Sequence, residues 1–170
     1  MSKNTSSTRY PHLPPLIGYI TIIIFMTWPA VTQLSTAYVG GRDDLLIHIW
    51  TYRWVKEALL TGQNPFYTTQ LYFPEGVSLV THNIAWLNIA VWLPLQALLG
   101  EIAAFGLIML TIYVLNGFTL YLLAFEWTAD RPAAFIAGLV TATWPYTLSH
   151  YDHPNLIPIF WMPLILLFWE

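Results

Sequence analysis

The chain has 170 residues, with Lys+Arg 6 against Asp+Glu 9, a net charge of −3, and only 9% of its residues charged. A soluble domain carries roughly 25% charged residues, so a composition that is 56% hydrophobic and 16% aromatic cannot cover a soluble surface of this size and points instead to a membrane protein. The acidic balance without a basic run excludes nucleic acid as a partner, and the absence of cysteine excludes a disulfide scaffold and a thiolate metal site.

In chain order, residues 1–15 form a polar, slightly basic tail (Lys3, Arg9), expected to stay in the cytoplasm. Residues 16–39 are uncharged and long enough to cross a hydrocarbon core of about 30 Å, with Pro29 as a kink. The run is too long for the apolar core of a cleaved signal peptide. Residues 40–83 then form an extracytoplasmic loop. Gly40-Gly41 turns the chain, and Asp43 or Asp44 stands where a helix N-cap belongs. From Leu45 to Thr61 the pattern is that of an amphipathic helix lying in the membrane interface. Ile47, Trp50, Trp54 and Ala58 share one face, and Asp44, His48 and Tyr52 share another. Gly62 ends it, and turns follow at Asn64-Pro65 and at Phe73-Pro74-Glu75-Gly76.

Residues 84–100 hold Asn88, Pro94 and Gln96 and are barely long enough to span, so a juxtamembrane or re-entrant segment is expected. Residues 102–125 read as a transmembrane helix, as do 132–148, which open on a proline suited to a helix start. The loop 149–155, SHYDHPN, is extracytoplasmic, and 156–170 begin a further span that the chain leaves incomplete. The fold class is therefore all-α, with polytopic transmembrane helices and an interfacial helix in the first outer loop. The sequence reads as the N-terminal fragment of a longer product.

Two topologies compete. If every apolar segment crosses, Asp44 and Asp152 lie on opposite sides of the membrane. If 84–100 does not cross, both lie outside, and the length, proline and polar residues of that segment favour this second arrangement. His150, Asp152 and His153 then gather in an outer loop. Three readings of that loop stay open: a polar cap between helices, a metal pair from His-x2-His, or a phosphate site formed by the imidazoles and a helix starting at Asn155.

The order D-x3-H-x-W-x3-W, G-x-N-P-F, F-P-E-G and then a His before an apolar segment resembles the N-terminal region of GT-C membrane glycosyltransferases, bacterial members of unassigned specificity in particular. The stretch AAFIAGLVTATWPYTLSHYDHPNLIPIFWMPLILL is similar to a later segment of the same proteins. Together the two stretches cover most of the chain. Thr81 departs from the family, which often has an acidic residue there.

The resemblance implies a multi-pass protein of the bacterial plasma membrane whose partners are the bilayer and a polyprenyl-phosphate-linked sugar. It implies transfer of that sugar on the extracytoplasmic face, with Asp44 as the acidic residue of the first outer loop, Asp43 as its substitute, and Asp152 as the second acidic residue. An alcohol acceptor is poorly acidic, so a carboxylate base suits the reaction. Charge developing on the leaving phosphate calls for donors, for which His48, His82, His150, His153 and Arg53 are candidates. Asp152 is suited to orient a histidine or to ligate a divalent cation, and no other cofactor is indicated. Two rival expectations stand beside this one. In the first, a transporter or channel lines its path with Asn88, Asn116 and Glu101. In the second, the fragment is inactive.

Overall fold

The computed structural model describes residues 11–38 and 43–169, Asp43 by its backbone alone. The described chain is mostly helical. In order it forms α1 (Leu13–Met26), a 3-10 turn (Ala30–Gln33), α2 (Asp43–Thr61), strands β1 (Tyr67–Thr68) and β2 (Val77–Ser78), α3 (Trp86–Leu99), α4 (Glu101–Thr128), α5 (Arg131–Ala142), α6 (Pro145–Ser149) and α7 (Trp161–Phe168). It divides into two compact units. One comprises Met1–Val31, Leu110–Pro145 and Pro158–Glu170, the other Thr32–Met109 and Tyr146–Ile157.

In the first unit, α1 opens with proline in its first turn, where the missing amide costs nothing. It closes at Met26, with the Thr27 hydroxyl donating to the Ile23 carbonyl at 2.7 Å. The continuous span expected over 16–39 is thus not formed. Pro29 disfavours helical backbone at Trp28 and supplies no amide, so the helix stops rather than kinks, and a 3-10 turn follows. Tyr19 and Ile23 are the buried face of α1. The Tyr19 hydroxyl donates to the Phe135 carbonyl at 2.8 Å and its ring stacks on Phe135 at 4.8 Å. Gly117 and Gly138 bring α4 and α5 together around that ring. A Cβ on Gly138 would overlap the Tyr19 hydroxyl and the Gly117 carbonyl.

The span expected over 132–148 is likewise divided. The Asp130 carboxylate caps α5 by accepting from the Ala133 amide at 3.1 Å, and the helix ends at Ala142. Pro145 then forces a new start as α6, since its ring excludes helical backbone before it. The expected span after residue 155 runs through turns before α7 begins at Trp161. The buried Asn116 side chain accepts from the Phe160 amide at 3.0 Å, satisfying one of the amides left over at that helix start. The uncharged helices α1 and α7 leave Phe25, Met162 and Phe168 largely bare.

Among the described residues, one helix is long and apolar enough to cross a bilayer. This is α4, with 28 residues, roughly 42 Å at 1.5 Å per residue. Helix α3 has 14 residues and is shorter than a span needs. It is a single continuous helix, so 84–100 does not fold back on itself. Pro94 lies inside it, and Ala90, whose carbonyl loses its partner to that proline, is exposed.

In the second unit, α2 departs from the flat interfacial helix expected of it. Leu45, His48, Ile49, Thr51, Tyr52, Val55 and Ala58 are buried, so burial extends round more than half of the helix, while Ile47 is exposed. The face expected to be polar is the one that packs inward, because Tyr52 meets Trp92 at 5.5 Å and Phe105 at 5.7 Å between ring centroids. Trp54 and Ala58 pack with Leu79 against Trp50, Val77 and Ile84, and the Trp54 indole donates to the Pro65 carbonyl at 3.0 Å. Trp54→Ala is therefore expected to cost about 3–5 kcal/mol, seen as a lower melting temperature of the detergent-solubilised protein.

An element that an all-α reading omits is the antiparallel pairing of Tyr67 with Ser78 and Thr68 with Val77. The turn between these strands needs Gly76 at φ +73°, where a side chain would strike the Thr68 carbonyl. Gly62, at φ +70°, ends α2, and the Asn64 side chain accepts from the Phe66 amide at 2.9 Å to close the next turn.

Candidate functional site

Helix α2 begins at Asp43, which places Asp44 in the first turn rather than at the cap. There its carboxylate lies near the positive helix end. The side chain of Asp43 lies outside the described residues, as do Arg42 and the expected Gly40-Gly41 turn. A spacing of four puts His48 one turn behind Asp44 on the same face.

The segment 149–155 comes to this helix end through successive tight turns. The His153 amide donates to the His150 carbonyl at 2.9 Å, and the Leu156 amide to the His153 carbonyl at 2.9 Å. The Asn88 side chain, from α3, donates to the Pro154 carbonyl at 2.7 Å and anchors the turn. His153 is thereby held between two carboxylates. Its Nε2 lies 2.8 Å from Asp44 Oδ2 and its Nδ1 lies 2.7 Å from Asp152 Oδ1. The structure thus brings Asp44 and Asp152 to opposite edges of a single imidazole. Asp44 remains about half open, with its side chain 51% exposed.

His48 lies beneath this bridge. It is 7% exposed, and its Nδ1 has no hydrogen-bond partner among the described residues. Its ring centroid is 6.3 Å from that of His153. Burial, and then the neighbouring His153 and His82, hold His48 below its ordinary value of 6.5, against the pull of Asp44 and Asp152. The imidazole is therefore neutral at pH 7. Below pH 6.5 the unfolded chain takes a proton that the folded chain resists, so stability falls on acidification through that window. His48→Gln is expected to lose less melting temperature than the unsubstituted protein between about pH 7.5 and about pH 5.5, and parallel melting curves would contradict this.

His150 stands beside the bridge, 5.6 Å from His153 between centroids. Its Nδ1 lies 2.8 Å from the Tyr146 carbonyl, an acceptor, so Nδ1 carries the hydrogen. His82 is bound elsewhere on α2. Its Nε2 is 2.9 Å from the Thr51 hydroxyl, which already donates to the Ile47 carbonyl at 2.8 Å, so Nε2 is the donor. The helix expected to start at Asn155 does not form, and the phosphate site built on it is withdrawn; turns occupy 151–160. Asn155 instead leaves its Oδ1 buried and unpartnered among the described residues.

Arg53 does not join this group. It lies roughly 14 Å further along α2 at 1.5 Å per residue. Its Nε donates to Glu101 Oε1 at 2.7 Å, and the Tyr38 hydroxyl donates to the same oxygen. Two open clefts of about 310 and 330 Å³ flank this pair, and neither is lined by Asp44, Asp152 or a histidine. Lys56 donates to Gln96 at 2.9 Å beside the first cleft. The polar residues on which a transport path would rest are engaged in packing: Asn88 with Pro154, Asn116 with Phe160, Glu101 with Arg53.

Both ring nitrogens of His153 already face carboxylate oxygens. No group of three or more His, Asp or Glu among the described residues is arranged to hold a metal ion.

Thr51 was not marked by sequence, and Asn88 and Glu101 were marked only as polar residues of a transport path. Their roles depend on contacts across the fold, and no local spacing marks them. No known protein family, curated protein or solved structure matches the chain.

Proposed function

We propose that the chain is part of a multi-pass membrane glycosyltransferase of the GT-C type, which moves a sugar from a polyprenyl-phosphate donor to an alcohol on the extracytoplasmic side. The observation that carries this reading is the His153 bridge. It places a carboxylate from the start of α2 and one from the 149–155 loop at the two edges of one ring. Long apolar runs, the long apolar helix α4 and the bare apolar faces of α1 and α7 support a bilayer as the solvent. The short helices α1, α5 and α7 cross it only together with the turns that flank them.

In the proposed step, the acceptor oxygen attacks the anomeric carbon. The bond from that carbon to the phosphate oxygen breaks, and its electron pair leaves with the phosphate. The acceptor proton goes to Asp44 Oδ1, the oxygen that His153 does not hold. With one base and no carboxylate nucleophile, the sugar inverts. His150, whose Nδ1 is engaged by the Tyr146 carbonyl, keeps Nε2 as the candidate partner of the leaving phosphate. The side chains of Arg53 and His82 are committed to Glu101 and Thr51, so they are not assigned to the donor.

The test is transfer from polyprenyl-phosphate sugars in membranes carrying the protein as its gene encodes it. Transfer on the outer face supports the reading. No transfer from any such donor, with the protein inserted and folded, would overturn it.

A further inference from the structure

We propose that His153 is a positioning residue whose imidazolium ties Asp44 and Asp152 into one carboxylate–imidazolium–carboxylate unit. Carboxylate oxygens only accept hydrogen bonds. Nδ1 and Nε2 of His153 each face one, at 2.7 Å and 2.8 Å. Both bonds form together only when both nitrogens carry hydrogen. A neutral ring would turn a lone pair onto one of the two anions.

The placement of the ring does not come from α2. Its backbone is set by the turn through His150 and by the Asn88 bond to the Pro154 carbonyl, so α3 and the loop carry the ring to the first turn of α2. Without it, two carboxylates from separate segments would face each other with no cation between them. Among the described residues, the other ionisable groups around the unit are His48 and His150, and neither shows a hydrogen bond to Asp44 or Asp152. His153 therefore fixes one oxygen of Asp44 and leaves the other unheld by the ring. Asp44 is held still although its side chain is half exposed.

The unit is tested without reference to sugar transfer, so it fails or stands independently of the proposed activity. Carboxylates in the membrane-embedded full protein are coupled to glycine ethyl ester with a water-soluble carbodiimide. The rate at each site is read by mass spectrometry. Glu57 and Glu75, both exposed, serve as references. Asp44 is expected to react several-fold more slowly than Glu57. In His153→Ala the Asp44 rate should rise to that of Glu57 while the references hold. In His153→Arg, which donates from both sides of a planar cation, the slow rate should return. Asp44 reacting as fast as Glu57 in the unsubstituted protein would overturn the proposal. So would an Asp44 rate unmoved by His153→Ala, or a fast rate in a folded His153→Arg variant. If His153→Ala disturbs the references as well, the unsubstituted protein and His153→Arg decide.

Discussion

Asp44→Asn is expected to lower the proposed sugar transfer by about 10²–10⁴-fold, the usual contribution of a positioned general base. The amide is nearly the same shape and its oxygen still accepts from His153 Nε2, so the fold and the bridge should survive. What is lost is a group that can take the acceptor's proton. The measurement is initial rate in membranes with matched protein levels, alongside the melting temperature. An unchanged melting temperature with a rate lowered to this extent is the expected pair. Asp152→Asn should lower the rate less, because Asp152 touches His153 and not the reacting hydroxyl. Equal rates for Asp44→Asn and the unsubstituted protein would remove Asp44 from the chemistry.

Gly138→Leu is expected to be the most damaging substitution for the first compact unit. Even a methyl group at this position would overlap the Tyr19 hydroxyl and the Gly117 carbonyl. The second of these is backbone, so no rotamer change relieves it. Across the same contact, a Cβ on Gly117 would lie 2.8 Å from the Ala142 Cβ and 3.0 Å from the Gly138 carbonyl. Helices α4 and α5 would have to separate, and the Tyr19 bond to the Phe135 carbonyl would be lost. Overpacking of a well-filled site usually costs about 1–3 kcal/mol, and a fixed backbone partner places this case at or above the top of that range. The loss would appear as a lower melting temperature in detergent. Ile136→Leu, on the exposed side of the same helix, should leave it unchanged.

What could be read from residue order was local. The helix stop at Gly62, the turns at Asn64 and Gly76, and the uncharged run that becomes α4 are written in neighbouring residues. The facing of α2 was not, because Trp, Tyr and His suit both a membrane interface and a buried ring cluster, and period alone does not distinguish them. Burial of Tyr52 is decided by Trp92 and Phe105, which lie far off in sequence. The β1–β2 pairing is too short for alternation to register. At the site, Asp44, His48, Asp152, His150 and His153 were marked by residue type and by resemblance. Arg53 was marked on charge alone, and its partner Glu101, at the start of another helix, could not be inferred from spacing. The stop of α1 at Met26 follows from Pro29, whose effect composition-based span finding ignores.

The central claim is that the first turn of α2 and the 149–155 loop meet in one place on one side of the membrane. The sequence has no cysteine, so introduced thiols report without background. The double variant Asp44→Cys, His153→Cys, treated in intact cells with a short cross-linker that carries two thiol-reactive electrophiles and does not cross membranes, should become linked, so that a cut between α3 and α4 leaves the two pieces joined. A second pair, Glu57→Cys with His153→Cys, should stay unlinked, since residue 57 lies roughly 20 Å along α2 from residue 44 at 1.5 Å per residue. Residues 44 and 153 labelled only from opposite faces, or left unlinked while both thiols react from outside, would contradict the shared site.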